Sequence, residues 1–468
     1  MKKLYSLLVL CSFQFIGFSQ TINIPDANFK ARLLTSGNTA FDTTGTGYSN
    51  KADINNDGEI QLSEAALVTG LDIHTITSNP NKISSLEGLQ YFTNLKTLKC
   101  SGNEISTLDV SMLSLLMTIN CSRNQITNIN VSGLNQLKEL SCSANNISTL
   151  NTSGLTALET LFCQGNSLNS VNFENIPALK NLNISENQLT TLNITALTNL
   201  EVLSCSNNEI SQLVIANLSS LREIVVAGNS LNTVNLEGLN NLTYLNLDSN
   251  SLSTVDLSPL SKLSSLDLNY NPLTEIDVNN NSLLRTLQIS NTQISTIDCS
   301  HTIVDQLICN NNSNLTSINV KNGVSSTSDP DMLYTAFIFD NLPVLTSICI
   351  DQSELWNLGY ANYNSSGNAV IYTGENCDTV LALNTEKHET IQPSVYPNPF
   401  TDHLNVNLAA EPSSIEISDL NGRIISRPTF TNNNNSVKID LAGISQNGLY
   451  ILKIVCKEQT ITTKILKQ

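Results

Sequence analysis

The chain is poor in charge: Asp, Glu, Lys and Arg make up only 13% of its 468 residues, about half the share of an average soluble domain. Cations are the scarcer sign, 23 against 40 acids, for a net charge of −17. That balance excludes nucleic acid as a natural partner, because little is present to neutralise phosphates. It suits divalent cations and neutral or basic partners instead. Aromatics reach only 5%, with a single tryptophan, while Asn, Ser, Thr and Leu dominate, a bias of repeats rather than of an ordinary globular core. Beyond the first twenty residues no apolar run approaches the ~20 residues that span a bilayer, so no transmembrane span is expected. The four histidines, His74, His301, His388 and His403, are scattered, and HExxH, GxSxG, GxxxxGK and CxxC are all missing. The common hydrolytic, phosphate-binding and redox motifs are thereby excluded, and no enzyme is expected.

What is present begins with a leader. Lys2 and Lys3 precede the apolar run LYSLLVLCSFQFIGF, and small Ser19 precedes Gln20, the layout of a cleaved secretory signal over residues 1–19. Cys11 follows Leu10, where a lipoprotein signal wants a small residue.

Residues 20–82 form a candidate cap. In IPDANFKARLL, residues 24–34, Pro25 and Asp26 start a helix, and Phe29 and Leu33 lie one turn apart on one face. Further on, ADINNDGEIQLSEAAL places Asp53, Asn55, Asp57, Gly58, Ile60 and Glu64 at positions 1, 3, 5, 6, 8 and 12 of a twelve-residue loop. That is the EF-hand spacing. Calcium takes about six to eight oxygens, and Asp53, Asn55, Asp57, the Glu59 carbonyl, a water near Gln61 and bidentate Glu64 make such a set, with Gly58 allowing the sharp turn. Calcium is the one cofactor expected.

From Lys96 the chain repeats. KTLKCSGNEISTLDVSMLSLL is followed by MTINCSRNQITNINVSGLNQL and KELSCSANNISTLNTSGLTAL, and the 21-residue block occurs nine times before a shortened one at 285–304. So regular a period predicts stacked coils. In each block the alternation around Leu98-Lys99-Cys100 is that of a short strand with Leu98 and Cys100 pointing inward. The cysteine column reads Cys100, Cys121, Cys142, Cys163, Ile184, Cys205, Val226, Leu247, Leu268, Ile289 and Cys309. A site shared with Ile, Val and Leu is a core site, and buried thiols are the plain reading. Occasional disulfides are the alternative in an exported chain, although in-register side chains leave Cβ atoms wider than the ~3.8 Å a bridge prefers. Four thiolates in a straight file cannot surround zinc as a tetrahedron. Three places on stands an asparagine column, Asn103 to Asn271, whose amides can bond the backbone of their own turn and of the next coil.

These blocks resemble the short bacterial leucine-rich repeat over residues 83–320. The resemblance implies a repeat solenoid with a parallel sheet on its concave face, irregular or short helical segments opposite, an N-terminal helical EF-hand-like cap, and a C-terminal cap over 321–377. Likeness to the C-terminal caps of such proteins implies a Cys349–Cys377 disulfide. Residues 378–392 have no period and read as a linker. Residues 393–468 are alternating strands broken by Pro, Asn and Gly, which predicts a small antiparallel β-sandwich. YPNPF, ISDLNGR, GLYILKI and the terminal Lys464 and Lys467 resemble the carboxy-terminal sorting domain of the Bacteroidetes type IX route. That implies engagement of the secretion machinery through 393–468 and a secreted or cell-surface product.

Function must come from a site on this scaffold. The outward strand positions are mostly small and polar; Phe162, Val202, Val225, Tyr244 and Tyr270 are the exceptions able to anchor a ligand. The expected function is binding of an extracellular protein or glycoprotein, as in adhesion. A non-catalytic glycan-binding role in polysaccharide capture is the alternative that the Asn, Ser and Thr face suits.

Overall fold

The computed structural model describes residues 20–76, 78–324, 337–354, 369–373, 395–396 and 398–467, the last with short gaps at 408–411, 420–422, 434–435, 445 and 457–459. The expected signal at 1–19, Trp356, Cys377 and the expected linker at 378–392 lie outside the described residues. The chain forms two compact units, Met1–Val380 and Leu381–Gln468.

The first unit is a stack of coils, most of which contribute a three-residue strand to one 14-stranded sheet. From Thr97–Lys99 onward the strands are parallel and in register: Leu98 pairs with Ile119, Ile119 with Leu140, and Leu140 with Leu161. The step holds until Thr286, which pairs with Gln306, one residue short, as the shortened block requires. Leu307 then pairs with Phe337 across a longer insertion. Inward residues of one coil, such as Leu98, Cys100, Ile105, Val110 and Leu116, are buried and continue into their neighbours as one core. Each such aliphatic side chain contributes roughly 1.5–3 kcal/mol by leaving water. Cys299 sits where Val110 does in its coil, donating its N–H to Asn319 O at 2.8 Å as Val110 does to Asn130 O at 3.1 Å.

On the far side the return path is extended, and in places it pairs into short sheets of its own. Thr107–Asp109 pairs in parallel with Asn128–Asn130, Thr191–Asn193 with Gln212–Val214, and Thr296–Asp298 with Ser317–Asn319. At ~1.5 Å rise per residue a helix would use up a coil this short before crossing it, so the chain comes back as strand. Asp109, Asn130, Asn151 and Asn172 then turn it, each accepting the N–H two residues on at 2.9–3.2 Å, the Asx geometry.

The asparagine column holds the coils together. Asn187 donates to Cys163 O at 3.1 Å and Ile184 O at 3.0 Å, and accepts from Leu168 N at 2.9 Å. Asn145 and Asn208 repeat the pattern. The coil bridged is therefore the preceding one, not the next as expected. Just before each asparagine the backbone is left-handed, as at Gly102, Arg123, Ala144, Gly165, Glu186, Asn207, Gly228, Ser249 and Tyr270.

The N-terminal segment covers the first coil. The helix Ala27–Leu34 starts at Asp26, whose carboxylate accepts from Asn28 N and Phe29 N, and Phe29 and Leu33 are buried as expected. The other Asp26 oxygen accepts from Ser84 N and Oγ, both at 2.8 Å, and ties the helix to the chain entering the repeats. Thr39–Ala40 pairs antiparallel with Gly70–Asp72, which begins the parallel stack. The helical share of this cap is small: one eight-residue helix and the single turn Leu62–Ala65.

The second unit is the expected antiparallel sandwich of two four-stranded sheets. One joins Val395–Tyr396, His403–Asn407, Ser436–Asp440 and Phe430–Asn433; the other joins Ile424–Ser426, Pro412–Ser418, Gly448–Cys456 and Thr460–Lys467. Leu404, Val406, Ile417, Ile439, Leu452 and Ile454 lie in its core. The segment Asn398–Phe400 clasps the last strand: Asn398 accepts from Leu466 N at 2.8 Å, and buried Phe400 donates its N–H to Leu466 O at 2.8 Å.

Candidate functional site

The main sheet presents two outward files, and the register aligns them along the stack. One runs through Val202, Glu223, Tyr244 and Ser265; the other through Phe162, Asn183, Ser204, Val225, Asn246 and Asp267. Four of the five expected anchors come together. Val202, Val225 and Tyr244 lie half-buried on three consecutive strands, and Tyr270, 60% exposed, follows the next strand, Ser265–Asp267. Phe162, 38% exposed, stands four strands before Tyr244, about 19 Å away at the ~4.8 Å strand spacing. It stands two strands before Val202, at the end of the row of anchors farthest from Tyr270. Tyr270 has a left-handed backbone, which its residue type does not foretell.

Charge on this face is unevenly placed. Lys99, at the capped end, lies 3.7 Å from Asp72 and over the Tyr48 ring at 4.8 Å. Glu223, Asp248 and Asp267 cluster around the tyrosines, and among the described residues none of the three forms an ion pair. Burial chiefly, with the Asp248 charge adding to it, pushes the Asp267 carboxyl up to about 6 against the pull of the Asn269 N–H.

Behind the face runs the thiol file. Cys100, Cys121, Cys142, Cys163, Cys205 and Cys309 are fully buried free thiols. Burial pushes Cys100, Cys142 and Cys205 up to about 12. The plain reading of the column is the observed one. Cys349 is buried; its expected mate, Cys377, lies outside the described residues.

In the cap, the twelve-residue loop has the expected backbone shape, with Asn56 and Gly58 left-handed at φ 63° and 82°. Asp53 accepts from Asp57 N at 3.2 Å and Gly58 N at 3.4 Å. Asn55 and Gln61 both donate to Asp57 Oδ2, at 2.9 and 2.8 Å. Glu64 accepts from Ile54 N at 2.8 Å, Asn55 N at 3.2 Å and Gln61 N at 3.0 Å, and Glu59 pairs with Lys30 at 2.7 Å. Among the described residues no three carboxylate, imidazole or thiolate side chains converge as a metal-holding group. By donor type the loop fits a hard cation. Asp53 and Glu64 are buried carboxylates, and Lys51, 3.6 Å from Asp53, is the one cation paired with them among the described residues.

Comparison with known proteins now places the chain. The repeats make it a leucine-rich repeat protein: residues 199–221 and 241–263 match the Leucine Rich Repeat family. Residues 394–468 match the Secretion system C-terminal sorting domain, so this is a leucine-rich repeat protein of the type IX secretion route, exported to the outer membrane or cell surface, and the tail implies an origin in the Bacteroidetes. Among solved structures it is similar to the functional domain of InlJ from Listeria monocytogenes, which includes a cysteine ladder, at 22% identity and a TM-score of 0.56, covering 96% of this chain and 99% of that one. It is also similar to an internalin, InlF, from Listeria monocytogenes, at 21% identity and a TM-score of 0.50, covering 72% of this chain and 94% of that one. Both likenesses concern the fold. No curated protein matches the chain significantly. No helix among the described residues is long and apolar enough to cross a membrane.

Proposed function

We propose that the outward face of the main sheet is a docking surface for an extracellular protein or glycoprotein, and that the chain works by adhesion or binding rather than catalysis. The observation that carries this reading is the gathering of Val202, Val225, Tyr244 and Tyr270 on four consecutive coils of a rigid, in-register sheet. Aromatic anchors on a preformed surface supply contact area at little entropic cost. Screening the full chain against arrays of extracellular proteins and of glycans tests it. Tyr244→Ala is expected to weaken capture of the protein found by about tenfold or more, a loss typical of a central aromatic anchor, and Phe162→Ala by much less. Capture on the glycan array alone, unaffected by Tyr244→Ala, would sink the reading in favour of polysaccharide capture.

We further propose that the cap loop binds calcium through Asp53, Asn55, Asp57, the Glu59 carbonyl and Glu64. Bound there, the ion would supply positive charge beside the buried carboxylates of Asp53 and Glu64. A ligand held by the native state alone stabilises it, by about 2.7 kcal/mol at a hundred times Kd. Adding calcium to chelator-treated protein is expected to raise Tm, and Asp53→Ala to abolish the rise; an unchanged Tm removes the ion.

A further inference from the structure

We infer that the patch formed by Tyr244, Asp248, Asp267 and Tyr270 is a seat for a cationic side chain, an arginine or lysine projecting from an extracellular protein partner. The inference rests on the docking reading above and specifies the chemistry of its occupant. Asn246 and Asp267 are paired on adjacent strands, with Asn246 Nδ2 3.4 Å from Asp267 Oδ2. Asp248 follows Asn246 by two residues, and its N–H binds Asn246 Oδ1 at 2.9 Å. The two carboxylates are therefore held on neighbouring coils. Around Asp267 the preceding coil offers Asn246 and Asp248, its own coil Asn269 and Tyr270, and the following coil Gln288 and Ser290. None of these is a cation. Glu223, one strand before Tyr244 in the same file, adds a third negative charge.

In places charges of opposite sign are matched along the stack, as in Lys180 with Glu159 and Arg285 with Asp305, at 2.7 and 2.6 Å. In the tyrosine patch three acids, Glu223, Asp248 and Asp267, fall on consecutive coils of the face with no such match among the described residues. An uncompensated negative field on a face that also carries tyrosines complements a guanidinium or ammonium, which gains Coulomb attraction from the acids and cation–π attraction where it meets a ring.

The repeat itself supplies fold-neutral variants. Asparagine already stands in these files at Asn120, Asn183 and Asn269, so Asp248→Asn with Asp267→Asn replaces each acid by a residue the architecture accepts. Asp256 and Asp277 lie in the far-side turn file, where Asn130 and Asn151 occur; Asp256→Asn with Asp277→Asn removes the same two charges off the face.

The experiment is fluorescence anisotropy of the full chain with a labelled Gly-Ser-Arg repeat peptide and with the same peptide carrying citrulline for arginine. The arginine peptide is expected to bind more tightly. The Asp248→Asn, Asp267→Asn variant should lose about tenfold in affinity, Tyr270→Ala should also weaken binding, and the far-side double variant should differ from wild type by less than about twofold. Wild-type affinity should fall as pH drops through about 6, where Asp267 gains its proton, and the on-face double variant should lack that step. Equal losses in the two double variants, or equal binding of the citrulline peptide, would overturn the inference. If Tyr244→Ala abolishes capture of the array partner while the on-face double variant does not, the docking face stands and the cationic occupant falls.

Discussion

Asn187→Ala is expected to destabilise the repeat unit by about 2–4 kcal/mol, the sum of one orphaned buried N–H, the lost bonds between coils and a small void, and above the usual effect of a polar-to-alanine change. The side chain is buried, with its amide shared between Cys163 O of the preceding coil and Ile184 O of its own, and its oxygen taking Leu168 N. Truncation leaves the buried Leu168 N–H without a partner, at roughly 1–3 kcal/mol, removes the bonds to Cys163 O and Ile184 O, which keep Asn166 and Asn208 as donors, and opens a small void. Exposed Asn232, in the same repeat array, is the control; Asn232→Ala should move stability by no more than about 0.5 kcal/mol. Urea unfolding followed by circular dichroism reads both. Because each coil touches only its neighbours, the weakened coil should also split one transition into two. A single transition with an unchanged midpoint for Asn187→Ala would show that the column does not hold the stack.

Glycine at two equivalent places in the left-handed file should respond very differently to alanine. At Gly102 an added Cβ would come within 2.0 Å of the Thr75 carbonyl oxygen, whereas at Gly165 its nearest neighbour is Ala144 Cα at 3.5 Å. Both changes carry the ~1–2 kcal/mol cost of a left-handed side-chain-bearing residue. Gly102→Ala adds a backbone clash that only a shift of the cap can relieve, for a total of about 3–5 kcal/mol. Gly165→Ala should cost about 1 kcal/mol, since Ala144 and Ser249 already occupy that geometry. Equal midpoint shifts for the two variants would mean that the cap does not press on the first coil as the structure shows.

Much of this is legible in the sequence because the coil length scarcely varies. A constant 21-residue step lets Leu98, Ile119 and Leu140 announce the sheet, while the sharing of one column by Cys, Ile, Val and Leu announces the core. The helix at Ala27–Leu34 is equally plain, since Asp26, Phe29 and Leu33 are spaced within one local element. What stays hidden depends on conformation without a residue preference or on distant partners. The left-handed file accepts Arg, Ala, Glu, Asn, Ser and Tyr beside Gly102, Gly165 and Gly228, so glycine marks it at only three of nine places. The bond from Asp26 to Ser84 joins residues far apart in the chain. The far-side strands vary in outward residues from Asp109 to Val214, which blurs their pattern. At the candidate face the aromatics can be identified one by one. Their grouping, and the separation of Phe162 from Tyr244, follow from the strand count.

The buried thiol file bears on how the molecule lives outside the cell. Oxidants and disulfide exchange act on the thiolate. For groups pushed up to about 12, as Cys100 and Cys142 are, only about one in 100,000 is ionised at neutral pH. Neither an aerobic surface nor a strongly reducing niche then offers these sulfurs a reaction while the coils stay closed. The exposure hazard is confined to the unfolded chain, where evenly spaced thiols can cross-link in the wrong pairs, so the order of events during export matters more to this protein than the redox state of its destination.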